Sequence, residues 1–450
     1  MRVKGSFVVN RYARILRRRA VLLPYFASLI ARFPISMMPL GMVLLVQNDR
    51  GSYSVAGGIT AVTAISGALS GPIWGGVMDR RGQLVVLVPT SASCAFLLAT
   101  FALGTVNGWH EAVLAVLAAG VGLTFPPISP AMRAAWRVLL PGEVDRLAAY
   151  ALDAVAVEVI FVTGPLLVSL LLAFASPVVP LLVTAGFLAV GGAGYATTRA
   201  ARSCRPDGPT ATDGPTATAT PKPVDAATPA TPATVDAAAG VFRGESLLRA
   251  VGVRMVLFIG AAMAIGFGLN DVGIAAVAQE ELGATSIVGL LFAAIAGGSA
   301  VGGLWYGSRS WNGPEHRRLP YSLAGFSAGL AAVGLLLATG TVSLVLLMPL
   351  LFLTGLCISP TTIVLANLVD RHSVASRLSE AQAWLTTSFT FGSAVGTATG
   401  GLAVDAGGPA LAFGCAAVAV AGGLGVALFA GQHWSHGDAL PDDERIESAA

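Results

Sequence analysis

Long apolar runs alternate with short polar breaks along the whole chain. The runs fall at about residues 21–46, 55–77, 84–106, 112–132, 148–174 and 177–198. They resume at 252–278, 286–307, 319–339, 342–368, 379–404 and 409–431. Each holds about the 20 apolar residues that a helix needs to cross a bilayer's hydrocarbon core. Within lipid every backbone N–H and C=O must be satisfied inside the segment, so the runs are expected to be helices. The expected fold is an all-α integral membrane protein with twelve transmembrane helices, spans 1 to 12.

Between spans 6 and 7 the pattern stops. Residues 200–248 are rich in Pro, Thr and Ala, and such a segment buries too little apolar surface to offset its ordering entropy. It reads as a largely disordered linker between a six-helix bundle at 21–199 and another at 249–431. A basic arm (1–20) precedes them and an acidic tail (432–450) follows. The arm lacks the short apolar core and small-residue cleavage site of a secretory signal. With Phe7, Val8, Tyr12, Ile15 and Leu16, it is expected to lie along the membrane face.

Charge orients the spans. Loops that stay in the cytoplasm collect Lys and Arg. With the N-terminus inside and twelve spans, all of the 27 basic residues except Arg32 and Arg50 fall on the inner side. A miscounted span would scatter that pattern. The chain is therefore expected in the cell membrane, multi-pass, with both termini cytoplasmic.

Composition agrees. The 450 residues are 55% hydrophobic and 11% charged, with a mean hydropathy of +0.75. Soluble domains carry about a quarter charged residues. A net charge of +3 gives no reason to expect a nucleic-acid partner. Cys94, Cys204, Cys357 and Cys415 are scattered, and the histidines at 110, 316, 372, 433 and 436 fall in loops or the tail. No metal site or cofactor is expected. HExxH and GxxxxGK[ST] are missing from the sequence, and its single GxSxG, Gly325 to Gly329, lies inside apolar span 9 and not at a strand-to-helix turn, so an enzyme is the distant alternative.

The halves are weakly alike. Spans 4 and 10 carry Gly122-Leu123 with Pro126, Pro127 and Pro130, and Gly355-Leu356 with Pro360. Paired bundles about a central pathway are common among secondary transporters. After span 2 comes Gly75-Gly76-Val77-Met78-Asp79-Arg80-Arg81-Gly82-Gln83. This resembles the Gly-x-x-x-Asp-Arg-x-Gly-Arg loop of the major facilitator superfamily, and the resemblance covers about residues 20–432. In it, Gly75 permits close helix approach, Asp79 sits at a helix end with Arg80 beside it, and Gly82 allows the turn into span 3. The counterpart after span 8, Gly303 to Arg309, lacks the acid. The resemblance implies two bundles rocking about a central site, with Asp79 and Arg80 latching the cytoplasmic side.

Proton-coupled exporters of that superfamily carry a Gly-rich motif with Gly-Pro in span 5. This chain keeps Gly164-Pro165, while Gly392, Gly396 and Gly400 stand in span 11. Export and ordinary small-residue packing fit them equally.

Charges inside spans are costly and usually face a pathway. Arg32 shares a face of span 1 with Ser28 and Ser36, a face expected to line the cavity. Glu158 in span 5 suits a proton carrier, or equally a fixed partner for Arg32. Asp153 lies about 140° around the same helix. Asp271, next to Asn270 in span 7, is a second coupling candidate. Trp384 and Phe391 in span 11 are candidate substrate contacts. The expected function is proton-coupled export of a drug-like or secondary-metabolite molecule by a monomer. Uptake of a small organic solute is the alternative.

Overall fold

The computed structural model describes residues 16–140, 142–203, 251–307, 309, 315–340, 342–372 and 378–437. Residues 1–15 of the arm, 204–250 of the linker and 438–450 of the tail lie outside them. The described part is helical throughout, and eleven helical stretches are long and apolar enough to cross a membrane. The last of these, Ala381–Gly431, is long enough to cross twice. It breaks at Gly407 and Gly408, where Gly408 takes a φ of 71° that glycine adopts without strain. The expected twelve spans are therefore present, the last two joined by this sharp joint.

The other spans run Ala20–Arg50, Tyr53–Met78, Gln83–Val106, Glu111–Leu139, Ala148–Phe174, Val179–Ala196, Val251–Glu281, Thr285–Gly307, Glu315–Ala338 and Leu344–Arg371. Spans 1, 6, 7 and 12 meet the membrane where the linker and the two termini attach. That side is called the terminal end, and the opposite side the far end. The linker does not begin as coil: residues Arg199–Ser203 form a short helix. The final helix continues to Gly437, beyond the expected limit at 431.

The spans were expected as continuous helices, but three of them are broken beside proline. Span 1 divides at Phe33, with Pro34 opening the second piece, because a proline nitrogen has no hydrogen to donate to the preceding turn. Span 4 divides into Glu111–Leu123 and Ile128–Leu139. Span 10 divides into Leu344–Gly355 and Ile358–Arg371. The two Gly-Leu pairs thus mark the same break in each half. Their packing matches too. A Cβ on Gly122 would collide with Ser66 Oγ and Thr63 O of span 2, and one on Gly355 with Ile295 O of span 8. Ser70 and Trp74 of span 2 donate to the carbonyls of Gly122 and Leu123, at 3.1 and 2.7 Å. The carbonyls freed by the break are thereby satisfied.

Candidate functional site

Arg32 is fully buried. Its Nη1 donates to Asp153 Oδ1 at 2.6 Å, joining spans 1 and 5. Glu158, the acid expected either as a proton carrier or as this fixed partner, is exposed. Helix geometry explains the choice. Asp153, Ile160 and Gly164 recur at seven and eleven residues, so they share one face of span 5. That face meets span 1: Ser36 Oγ donates to Ile160 O at 3.0 Å. A Cβ on Gly164 would land on Ser36 Oγ. Tyr25 adds a hydroxyl bond to Leu152 O at 3.3 Å.

The expectation that Ser28, Arg32 and Ser36 line a cavity is therefore corrected for this conformation. The polar face of span 1 turns into its own bundle, where Ser28 donates to Tyr25 O at 2.7 Å. A polar face in lipid-buried protein is stable where its groups find partners. Two guanidinium nitrogens, Nε and Nη2, have no partner among the described residues.

Glu158 belongs to a different face, shared with Pro165 and Ser169 at seven and eleven residues. Pro165 and Ser169 pack against Gly289 of span 8, in the other half. Ser169 Oγ accepts the Gly289 N–H. Glu158 thus lies on the continuation of the seam between the halves, two helical turns nearer the terminal end.

A matching seam joins spans 2 and 11. A Cβ on Gly57 would strike Thr397 O, and one on Gly401 would strike Tyr53 O. Asp405 accepts from Tyr53 N at 2.9 Å, and from Ser54 N and Ser52 Oγ at 2.8 Å each. Tyr53, nearly fully buried, reaches Gln279 Oε1 of span 7 with its hydroxyl at 3.5 Å. All these residues lie at the far end. Nothing in the apolar pattern marks Ser52, Tyr53, Gln279 or Asp405. The available signal is Ser52, a helix-capping residue just before span 2 that accepts from Val55 N at 3.3 Å.

Asp271 is exposed while its neighbours Asn270 and Val272 are buried. Asn270 Nδ2 donates to Asp271 Oδ1 at 3.3 Å, and Asn270 Oδ1 has no partner among the described residues. Trp384 and Phe391 are 39% and 58% exposed. Gly392 and Gly396 lie against the backbone of Ala261 and Ile265 in span 7, and Gly400 against Leu269.

At the loop after span 2, the helix continues to Arg81, so Asp79 falls in its last turn. The Asp79 side chain lies outside the described residues, and Arg80 is exposed. Gly82 ends the helix with a φ of 87°. A Cβ on Gly75 would meet open space, so no close helix approach occurs there. The substituted position carries the packing instead. Gln83, where the loop pattern has Arg, donates to Ala131 O at 2.9 Å and accepts from Tyr195 Oη at 3.1 Å.

Two six-helix bundles meeting across spans 2, 5, 8 and 11, with isolated acids near the seam, define a membrane transporter of small solutes. The family profile "Major Facilitator Superfamily" matches residues 24–374. The chain belongs to that superfamily and is a secondary transporter, not an enzyme. A bacterial homologue of the iron transporter ferroportin, solved in an inward-facing state, is similar in fold. Its TM-score is 0.66 at 13% identity, covering 90% of this chain and 97% of that one. The peptide transporter POT, solved as a mutant, gives 0.62 at 14%, covering 91% and 92%. No curated protein matches the chain.

Proposed function

We propose that this transporter exports small, largely apolar molecules of drug-like or secondary-metabolite kind in exchange for protons, by alternating access. Glu158 carries the reading. It is an exposed carboxylate on the seam-facing side of span 5, and Arg32 is already engaged by Asp153. A carboxylate between two halves can take a proton from one side and release it to the other without breaking a structural pair. Asp271, with its single bond from Asn270, is the second proton candidate. Asp153 is the third, because its proton would have to displace Arg32.

The distribution of Lys and Arg supports the terminal end as the cytoplasmic side. With the halves joined at the far end, the solute path of this conformation is proposed to open to the cytoplasm. Trp384 and Phe391 offer apolar surface to a substrate. The hydroxyls between them, on Thr386, Thr387, Ser388 and Thr390, each donate to a backbone carbonyl, which suits an apolar solute better than a sugar. The protein works as a monomer in the cell membrane.

The test is expression in a drug-hypersensitive host against a panel of toxic compounds, with proton efflux followed in everted vesicles. Resistance that disappears with Glu158→Gln supports the reading. Proton-coupled accumulation of a labelled solute in intact cells, without resistance to any compound, would replace export by uptake.

A further inference from the structure

The first N–H groups of a helix have no partner inside it and carry the positive end of the helix dipole. Spans 2 and 8, one in each half, both begin at the far end against the opposite half. Each is capped from across the seam. Asp405, at the end of span 11, takes the N–H groups of Tyr53 and Ser54 and the Ser52 hydroxyl. Ser169 of span 5 takes the N–H of Gly289, in the first turn of the α-helix Val288–Gly307 that forms most of span 8. Spans 5 and 11 hold matching places in the two halves, as do spans 8 and 2. One device is therefore used twice, reciprocally.

We propose that these reciprocal caps are the far-end gate of the transport cycle, with Asp405 as its releasable clasp. All four bonds run between the halves, so none survives their separation, whereas the bonds inside each bundle are untouched by it. The approach that makes them possible depends on Gly57 and Gly401, where a Cβ would strike the opposite backbone. The two caps differ in kind. Asp405 is charged and exposed, so water can replace its partners as they leave. Ser169 is neutral and buried, so its side of the seam holds the tighter packing. Asp405 is a positioning residue: it sets how often the far end opens and touches no solute.

The inference rests on alternating access, and one experiment separates the two. In the full chain freed of its cysteines, spin labels are placed at Asn107→Cys and Ala338→Cys. These exposed far-end positions lie in opposite halves. Pulsed dipolar spectroscopy in lipid nanodiscs reads the distance between them. Asp405→Ala should raise the open-to-closed ratio about tenfold, as loss of hydrogen bonds to a charged group implies. Asp405→Asn, which keeps an accepting oxygen, should fall between it and the parent. Ser169→Ala should shift the ratio the same way, giving a second reading if Asp405→Ala does not fold. Thr399→Ala, which removes a bond within span 11 only, should leave the ratio unchanged. A parent that samples both distances with the same ratio in every variant overturns the clasp and spares alternating access. A single fixed distance in the parent and all variants overturns both.

Discussion

Arg32 and Asp153 form an ion pair that is almost wholly withdrawn from solvent, 121 residues apart in sequence and 2.6 Å apart in space. Such a pair is weak evidence for stability but strong evidence for interdependence. Removing one partner leaves the other charge buried and uncompensated. Asp153→Ala should therefore destabilise the protein by about 3–5 kcal/mol. Replacing both, with Arg32→Met and Asp153→Leu, should recover most of that loss. Thermal unfolding in detergent measures both; a double variant no more stable than the single would show that the pair does not act as a unit.

Glu158 has the opposite character. It makes no described hydrogen bond, so Glu158→Gln should leave the unfolding temperature within a degree or two of the parent, as surface substitutions usually do. The same change should abolish the pH gradient's effect on transport in proteoliposomes. Coupling that survives in full moves the proton site to Asp271.

Gly164 faces Ser36 with no room for a methyl group. Gly164→Ala should cost about 1–3 kcal/mol through overpacking. Ser36→Gly in the same chain should relieve most of that cost. A double variant as unstable as Gly164→Ala alone would place the strain elsewhere in span 5.

Gln83 bridges spans 3, 4 and 6 through Ala131 and Tyr195. Gln83→Ala removes both bonds, at about 0.5–1.5 kcal/mol each. The unfolding temperature should fall accordingly, and Tyr195→Phe should cost less in that variant than in the parent, because the bond between the two side chains is already gone.

The proposed orientation is open to direct labelling. In intact cells a membrane-impermeant maleimide should reach Asn107→Cys at the far end. It should reach Thr197→Cys at the terminal end only after permeabilisation. The reverse pattern would invert the transporter.

The spans were legible because lipid imposes a fixed length on apolar helices, and their limits moved by only a few residues. The recurrence of Gly122-Leu123 and Gly355-Leu356 beside prolines was legible as a likeness between the halves, but continuous helices were expected where both spans break. The partner of Arg32 was not legible: Glu158, at comparable depth, was the acid expected to pair with it, whereas the bond goes to Asp153. The face that settles it is visible only once Ile160 and Gly164 are seen against Ser36. The clasp at Asp405 was least legible of all: its partner Ser52 lies 353 residues away, and no periodicity links a loop-edge acid to a distant helix start. Gly75 illustrates the converse, a residue whose place in a family pattern suggested a close approach that the fold does not make.

The joint at Gly407–Gly408 has a mechanical meaning. Spans 11 and 12 meet there with no loop between them, and a joint without slack transmits tilt. Span 11 ends at Asp405, so any swing that lifts that carboxylate from span 2 must drag the head of span 12 with it. Span 12 in turn leans on span 9, where Ser327 Oγ donates to Ala417 O at 2.9 Å. The lever arm of the second half is thus stiff by construction, and a few flexible residues inserted after Gly408 would uncouple its stroke.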